Sequence, residues 1–115
     1  MTAMSLLRGE KDIRHYTAGQ PVFAEGAAAD GMYAVIEGEV EILMDGRVRE
    51  TVPPGGIFGE LALLDDQPRS ATAVARTDCT IAVVNARRFE TLVQQTPFFA
   101  LQVMQVMAER LRRKL

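Results

Sequence analysis

The sequence predicts a mainly β domain closed by two C-terminal helices, and three observations carry that prediction. Between Gly19 and Asn85 the chain runs as short apolar stretches cut by glycine, proline and aspartate, the pattern of strands joined by tight turns. After Asn85 the apolar spacing changes to three and four residues, with helix-start signals at Asn85 and at Thr96-Pro97. The length of 115 residues leaves room for one core, and the chain is read as one domain over 1–115.

Residues 1–18 form a short, weakly patterned N-terminal segment, without the basic-then-apolar layout of a signal peptide. In the β part, Val40, Ile42 and Met44 share one strand face, with Glu39 and Glu41 turned the other way. Asp45-Gly46 fits a two-residue type I′ hairpin turn, leading into Val48, Glu50 and Val52 on the returning strand. Pro53-Pro54-Gly55-Gly56 ends that strand, because proline cannot donate to a ladder. Thr72–Ala75 and Thr80–Val84 supply two more strands with Thr77-Asp78 between them. Strands at this spacing suit a barrel or a sandwich.

Asn85 is placed to cap a helix over Ala86–Gln95, with Phe89, Leu92 and Val93 on its apolar face. Thr96 caps a second helix, and Pro97 sits in its first turn, where a missing N–H costs nothing. Leu101, Met104, Ala108, Leu111 and Leu115 then recur at spacings of 3, 4, 3 and 4, a heptad-like seam, while Phe98, Val103, Val106 and Met107 make a second apolar surface. A helix apolar on two sides must bury both. One side can lie on the β layer; the other calls for a second subunit, a neighbouring domain or a ligand.

Composition narrows the function. The net charge of −2 gives no global electrostatic case for nucleic acid. Arg110, Arg112, Arg113 and Lys114 against Glu109 leave the last seven residues at +3, read first as cations suited to a helix C-terminus with a solvated face, and second as contacts to a ligand or partner. One cysteine, Cys79, excludes an internal disulfide, and with a single histidine, His15, a closed metal site is not expected. His15 reads as a surface residue and Cys79 as a packed one. No apolar run approaches the ~20 residues of a membrane span, and a cytoplasmic protein is expected.

The densest chemistry lies in Gly55-Gly56-Ile57-Phe58-Gly59-Glu60-Leu61-Ala62-Leu63-Leu64 and in Pro68-Arg69-Ser70-Ala71-Thr72. A glycine turn opens a short helix whose first N–H groups point outward, a setting that favours an anion. Arg69, nine residues after Glu60, offers a planar fork for phosphate oxygens. A carboxylate beside an anion makes sense when it accepts from something else, and a sugar hydroxyl is the obvious donor. Each residue also has a plainer role: Arg69 in a salt bridge to Asp65, Asp66 or Glu60, Glu60 as a first-turn acid, Gly59 as a turn former, Ser70 and Thr72 as strand residues.

The order and spacing of these residues resemble the phosphate-binding cassette of cyclic nucleotide-binding domains, the family of catabolite activator proteins, regulatory subunits of cyclic-AMP-dependent kinase and cyclic-nucleotide-gated channels. Ala18-Gly19, Val22-Phe23, Glu25-Gly26, Tyr33-Ala34-Val35 and Gly38-Glu39-Val40 extend the resemblance over roughly residues 16–115. It implies an antiparallel β-roll over 19–85, with the cassette at 55–72, a short helix inside it, and the two helices over 86–115. It implies that Phe58, Gly59, Glu60, Leu61, Ala62, Arg69, Ser70 and Ala71 bind a 3′,5′-cyclic nucleotide, cAMP ahead of cGMP. The Leu61 and Ala62 N–H groups, Arg69 and Ser70 would hold the phosphate, and Glu60 the ribose 2′-OH.

The helix from Pro97 would be a lid and a contact for a homodimer or effector domain, with Arg112, Arg113, Lys114 or Leu115 reaching the base. No cofactor beyond that ligand, no metal, no enzymatic activity and no direct nucleic-acid contact is expected. A degenerate fold of this family that binds protein through its helical seam is the alternative.

Overall fold

The computed structural model describes residues 7–114, without the side chain of Lys114; Leu115, placed by its spacing in the helical seam and among the base contacts, lies outside them. Eight strands form two antiparallel four-stranded sheets: β1 (Ile13–Tyr16), β2 (Pro21–Phe23), β3 (Met32–Glu37), β4 (Val40–Met44), β5 (Arg47–Val52), β6 (Ile57–Phe58), β7 (Thr72–Ala75) and β8 (Cys79–Val84). One sheet runs β1-β8-β3-β6 and the other β2-β7-β4-β5. Two helices follow, α1 (Ala86–Gln95) and α2 (Phe98–Lys114), and a single 3-10 turn covers Glu60–Leu63. This is the antiparallel β-roll with C-terminal helices that the sequence predicts.

Strand periodicity divides the apolar residues between two cores. Tyr33 and Val35 of β3, with Ile81 and Val83 of β8, point between the sheets and meet Val40, Val52, Phe58, Ala73 and Ala75. Their neighbours Met32, Ala34, Ala82 and Val84 point outward and pack under Leu92, Phe99 and Val103 of the helices. The first sheet is thus buried on both faces, so β3 and β8 read as nearly continuous apolar runs instead of alternating ones.

Turn chemistry fixes the registers. Asp45 at φ 53° and Gly46 at φ 75° make the expected two-residue hairpin turn, and Met44 pairs with Arg47 across it. A bulge between Ile42 and Leu43 then sets Ile42 opposite Glu50. Asn85 caps α1 as expected, its side chain accepting from the Arg88 N–H at 2.8 Å. The α2 helix begins at Phe98, after a turn in which the Phe99 N–H bonds the Thr96 carbonyl at 3.0 Å.

Two elements differ from the sequence expectation. The sheet begins before Gly19: β1 lies within the weakly patterned segment and pairs with β8, Ile13 opposite Ala82. Its four residues, IRHY, are too few to display a period. The cassette helix is one 3-10 turn of four residues, so its dipole is smaller than that of a full helix start.

Candidate functional site

The Arg69 backbone is bound on both sides to the β2–β3 loop: its N–H donates to the Ala27 carbonyl and its carbonyl accepts from the Gly26 N–H, both at 2.8 Å. That pairing turns the side chain inward, where only 6% of the residue remains exposed. The guanidinium lies over the Phe23 ring at 4.1 Å from its centroid and near the Tyr33 ring at 5.2 Å, a cation–π arrangement that favours a desolvated positive charge. Nη1 donates to the Gly59 carbonyl at 3.1 Å, and Nη2 to the Gly31 carbonyl at 2.8 Å and to Asp30 at 3.1 Å. Its carboxylate partner is therefore Asp30, not Asp65, Asp66 or Glu60. Among the described residues, Arg69 Nε–H is the buried side-chain donor without a partner.

Asp30 is itself held. Burial alone would raise its pKa, but hydrogen bonds from Tyr33 and Arg14, with the charges of Arg14 and Arg69, keep it below the ordinary aspartate value. Burial and the bond to Asp30 push the Tyr33 hydroxyl up to about 12.

Gly59 serves the arginine directly. It adopts φ 70°, and a Cβ there would stand 2.7 Å from Arg69 Nη1. The close approach that excludes a side chain at this position is therefore that of a neighbouring guanidinium. Glu60 follows, 5% exposed, and its Oε1 pairs with Arg110 Nη1 at 2.7 Å.

Glu60 is thus more than a first-turn acid: it ties the cassette to α2. The C-terminal cations correct the sequence expectation in the same way. Arg110 leaves the solvated face and pairs with Glu50 on β5 at 2.8 Å, whereas Arg113 reaches the same carboxylate at 3.2 Å with its side chain still 57% exposed. Arg112 is exposed. The residue-level signal for this arrangement was weak, since Glu50, Glu60 and Arg110 come together only through the fold.

These groups enclose a cavity of ≈ 690 Å³ between the cassette, the β4–β5 hairpin and α2, inside the range of about 300–1,000 Å³ usual for small-molecule sites. Phe58, Gly59, Glu60, Leu61, Ala62, Arg69, Ser70 and Ala71 all line it. Ile42, Met44, Met107 and Leu111 give it an apolar end, with Arg49, Glu50 and Arg113 at the same wall. The Ala62 N–H is engaged by the Gly59 carbonyl, though at 3.3 Å, so of the two N–H groups assigned to an anion it is the less available. Thr72 keeps a structural role, its hydroxyl accepting from the Glu25 N–H at 3.0 Å.

Elsewhere, His15 is exposed with its ring 3.3 Å from the Thr80 hydroxyl. Cys79 is buried, and burial raises its thiol pKa. No cluster of three or more His, Cys, Asp or Glu side chains among the described residues could hold a metal ion.

Comparison with known proteins identifies the family. The family model described as "Cyclic nucleotide-binding domain" matches residues 13–96. The chain is 38% identical to a cAMP-dependent protein kinase regulatory subunit of Eremothecium gossypii, over 70% of this chain and 18% of that protein. It is 33% identical to the Cyclic AMP receptor protein of Thermus thermophilus, over 86% of this chain and 48% of that protein. It therefore spans less than half the length of either relative.

Among solved structures, Thermus thermophilus catabolite activator protein superposes with a TM-score of 0.82 at 31% identity, covering 97% of this chain and 53% of that one. A chain from work on a cyclic-GMP-dependent pathway of bacterial phytopathogenesis gives 0.81 at 29% identity, covering 98% of this chain and 95% of that one. No helix among the described residues is long and apolar enough to cross a membrane.

Proposed function

The chain belongs to the cyclic nucleotide-binding domain family, and from that premise we propose that it binds a 3′,5′-cyclic nucleotide, cAMP ahead of cGMP, as a regulatory sensor module. The observation that carries the proposal is Arg69: a buried guanidinium in the cavity wall whose Nε–H has no partner. An unmatched buried donor costs roughly 1–3 kcal/mol, and a phosphate oxygen entering the cavity would satisfy it with a charge-assisted bond. The Ser70 hydroxyl and the Leu61 N–H would supply the neighbouring donors. Glu60 would accept from the ribose 2′-OH through the oxygen that Arg110 leaves open, and the apolar end at Met44, Met107 and Leu111 would take the base.

Binding completes what the domain does; no bond is made or broken. The ligand acts on the position of α2 because it touches both the cassette and that helix, and it shifts an equilibrium only by its differential affinity for the two positions. One observation favours a second reading, a protein-interaction or dimerisation module. Phe98, Leu101, Met104 and Leu111 of α2 are each between 51% and 61% exposed, and an apolar stripe of this kind usually marks an interface.

Displacement of a fluorescent cyclic nucleotide separates the two. Under the sensor reading, cAMP and cGMP compete at far lower concentrations than 5′-AMP or inorganic phosphate. Failure of the fluorescent nucleotide to bind at millimolar concentration would leave the interaction module as the function.

A further inference from the structure

The bulge opposite Ile42 and Leu43 puts Glu50 on the face of Val52, which is buried, and Val48 on the other, so the Glu50 carboxylate faces inward and needs a specific partner. It gets one from α2: Arg110 donates from Nε and Nη2 to its two oxygens at 3.0 and 2.8 Å, a bidentate fork. Nη2 also donates to the Ile57 carbonyl, and Arg113 adds a bond to Glu50 at 3.2 Å. That leaves Nη1 of Arg110 for Glu60, whose Oε1 it approaches at 2.7 Å. The fork, the geometrically demanding end of the guanidinium, thus belongs to Glu50.

We propose that Glu50 is a specificity-determining residue of the ribose subsite: by holding the fork of Arg110, it keeps one carboxylate oxygen of Glu60 open to a nucleotide hydroxyl. The inference rests on the cyclic-nucleotide reading above. Without Glu50, the guanidinium already at 2.7 Å from Glu60 is free to rotate its fork onto that residue. A bidentate pair is the preferred arrangement of an arginine and a carboxylate, and it would engage both Glu60 oxygens. The hydroxyl would then compete with an intramolecular cation for its acceptor. The net effect of the arginines on Glu50, against the opposing effect of burial, is to hold its carboxyl below the ordinary glutamate value, so Glu50 stays charged and can hold the Arg110 fork at neutral pH.

The test is the affinity ratio of cAMP to 2′-deoxy-cAMP, measured by calorimetry on the whole chain. Glu50→Gln keeps the size of the side chain and removes the charge. It is expected to reduce the ratio by about tenfold, the worth of a hydrogen bond to a charged acceptor, while affinity for the deoxy ligand barely moves. A merely structural role would weaken both ligands alike. Arg110→Met, which removes the competitor, is expected to retain the wild-type ratio, as is the double variant Glu50→Gln with Arg110→Met.

Neither of these last two variants has an Arg110 fork to turn onto Glu60, and Arg110→Met, which keeps Glu50, tests the idea even where Glu50→Gln folds poorly. An unchanged ratio in Glu50→Gln, or a lost ratio in Arg110→Met, overturns the inference and leaves the nucleotide reading standing. A wild-type chain that binds neither ligand overturns both.

Discussion

Arg69 and Glu60 are legible from sequence because their chemistry travels with their spacing: a glycine turn, an acid on it, and an arginine nine residues later. Their partners are not. Asp30 lies 39 residues before Arg69 in an exposed loop, and Arg110 lies 50 after Glu60. Either arginine has a dozen or more carboxylates in the sequence to choose from, and only the fold decides. Gly59 shows the same division. Its conformational freedom is readable from the turn, whereas the 2.7 Å clash that a Cβ would make with Arg69 is not.

Gly59→Ala therefore combines positive-φ strain with displacement of the guanidinium. It is expected to cost about 1–3 kcal/mol of stability, measured as a lower denaturant midpoint, and to weaken nucleotide binding in the same preparation.

At the scale of elements, α1 is legible from local signals, and β7 as a short apolar run set off by Thr77-Asp78. The Asn85→Ala variant should lose the 2.8 Å cap bond and about 1 kcal/mol of stability, read by chemical denaturation. What α2 does was only half legible. Its two apolar surfaces are in the sequence, but Arg110 folds back to the roll instead of facing solvent, because Glu50 and Glu60 face it across the cavity.

That docking should respond to acid. Arg110 and Arg113 face Glu50, with Glu60 on the far side of Arg110, and Glu50 titrates lower when folded than when unfolded. Its contribution is therefore complete above the ordinary glutamate value, about 4.3, and is lost as pH falls through the lower folded value. Amide exchange in the last turns of α2 should quicken over that acid range, and Glu50→Gln should remove most of the change. Exchange with the same pH profile in both chains would place the acid-sensitive contact elsewhere.

For the whole molecule, the sequence carries the fold because strand period, turn residues and helix caps agree with one another at each step. β1 and the two-residue β6 escaped, both being too short to show a period. The cavity is a property of no single element: the hairpin, the cassette and α2 each supply one wall. A ligand that spans them should stabilise the whole roll. At a hundredfold excess over its dissociation constant it adds about 2.7 kcal/mol, an increase in melting temperature on the order of 10 °C for a domain of this size.

Calorimetric titration of the wild-type chain and its Arg69→Ala and Arg69→Lys variants with cAMP tests the assignment of Arg69 to the phosphate most directly. Wild-type protein should bind one nucleotide per chain. Alanine should weaken binding by about 2–5 kcal/mol, since it strips the partner from a largely desolvated anion. Lysine should recover only part of that, because an ammonium cannot reproduce the guanidinium's planar set of donors. Equal affinities in all three proteins, or no binding by the wild-type chain at millimolar cAMP, would contradict the account.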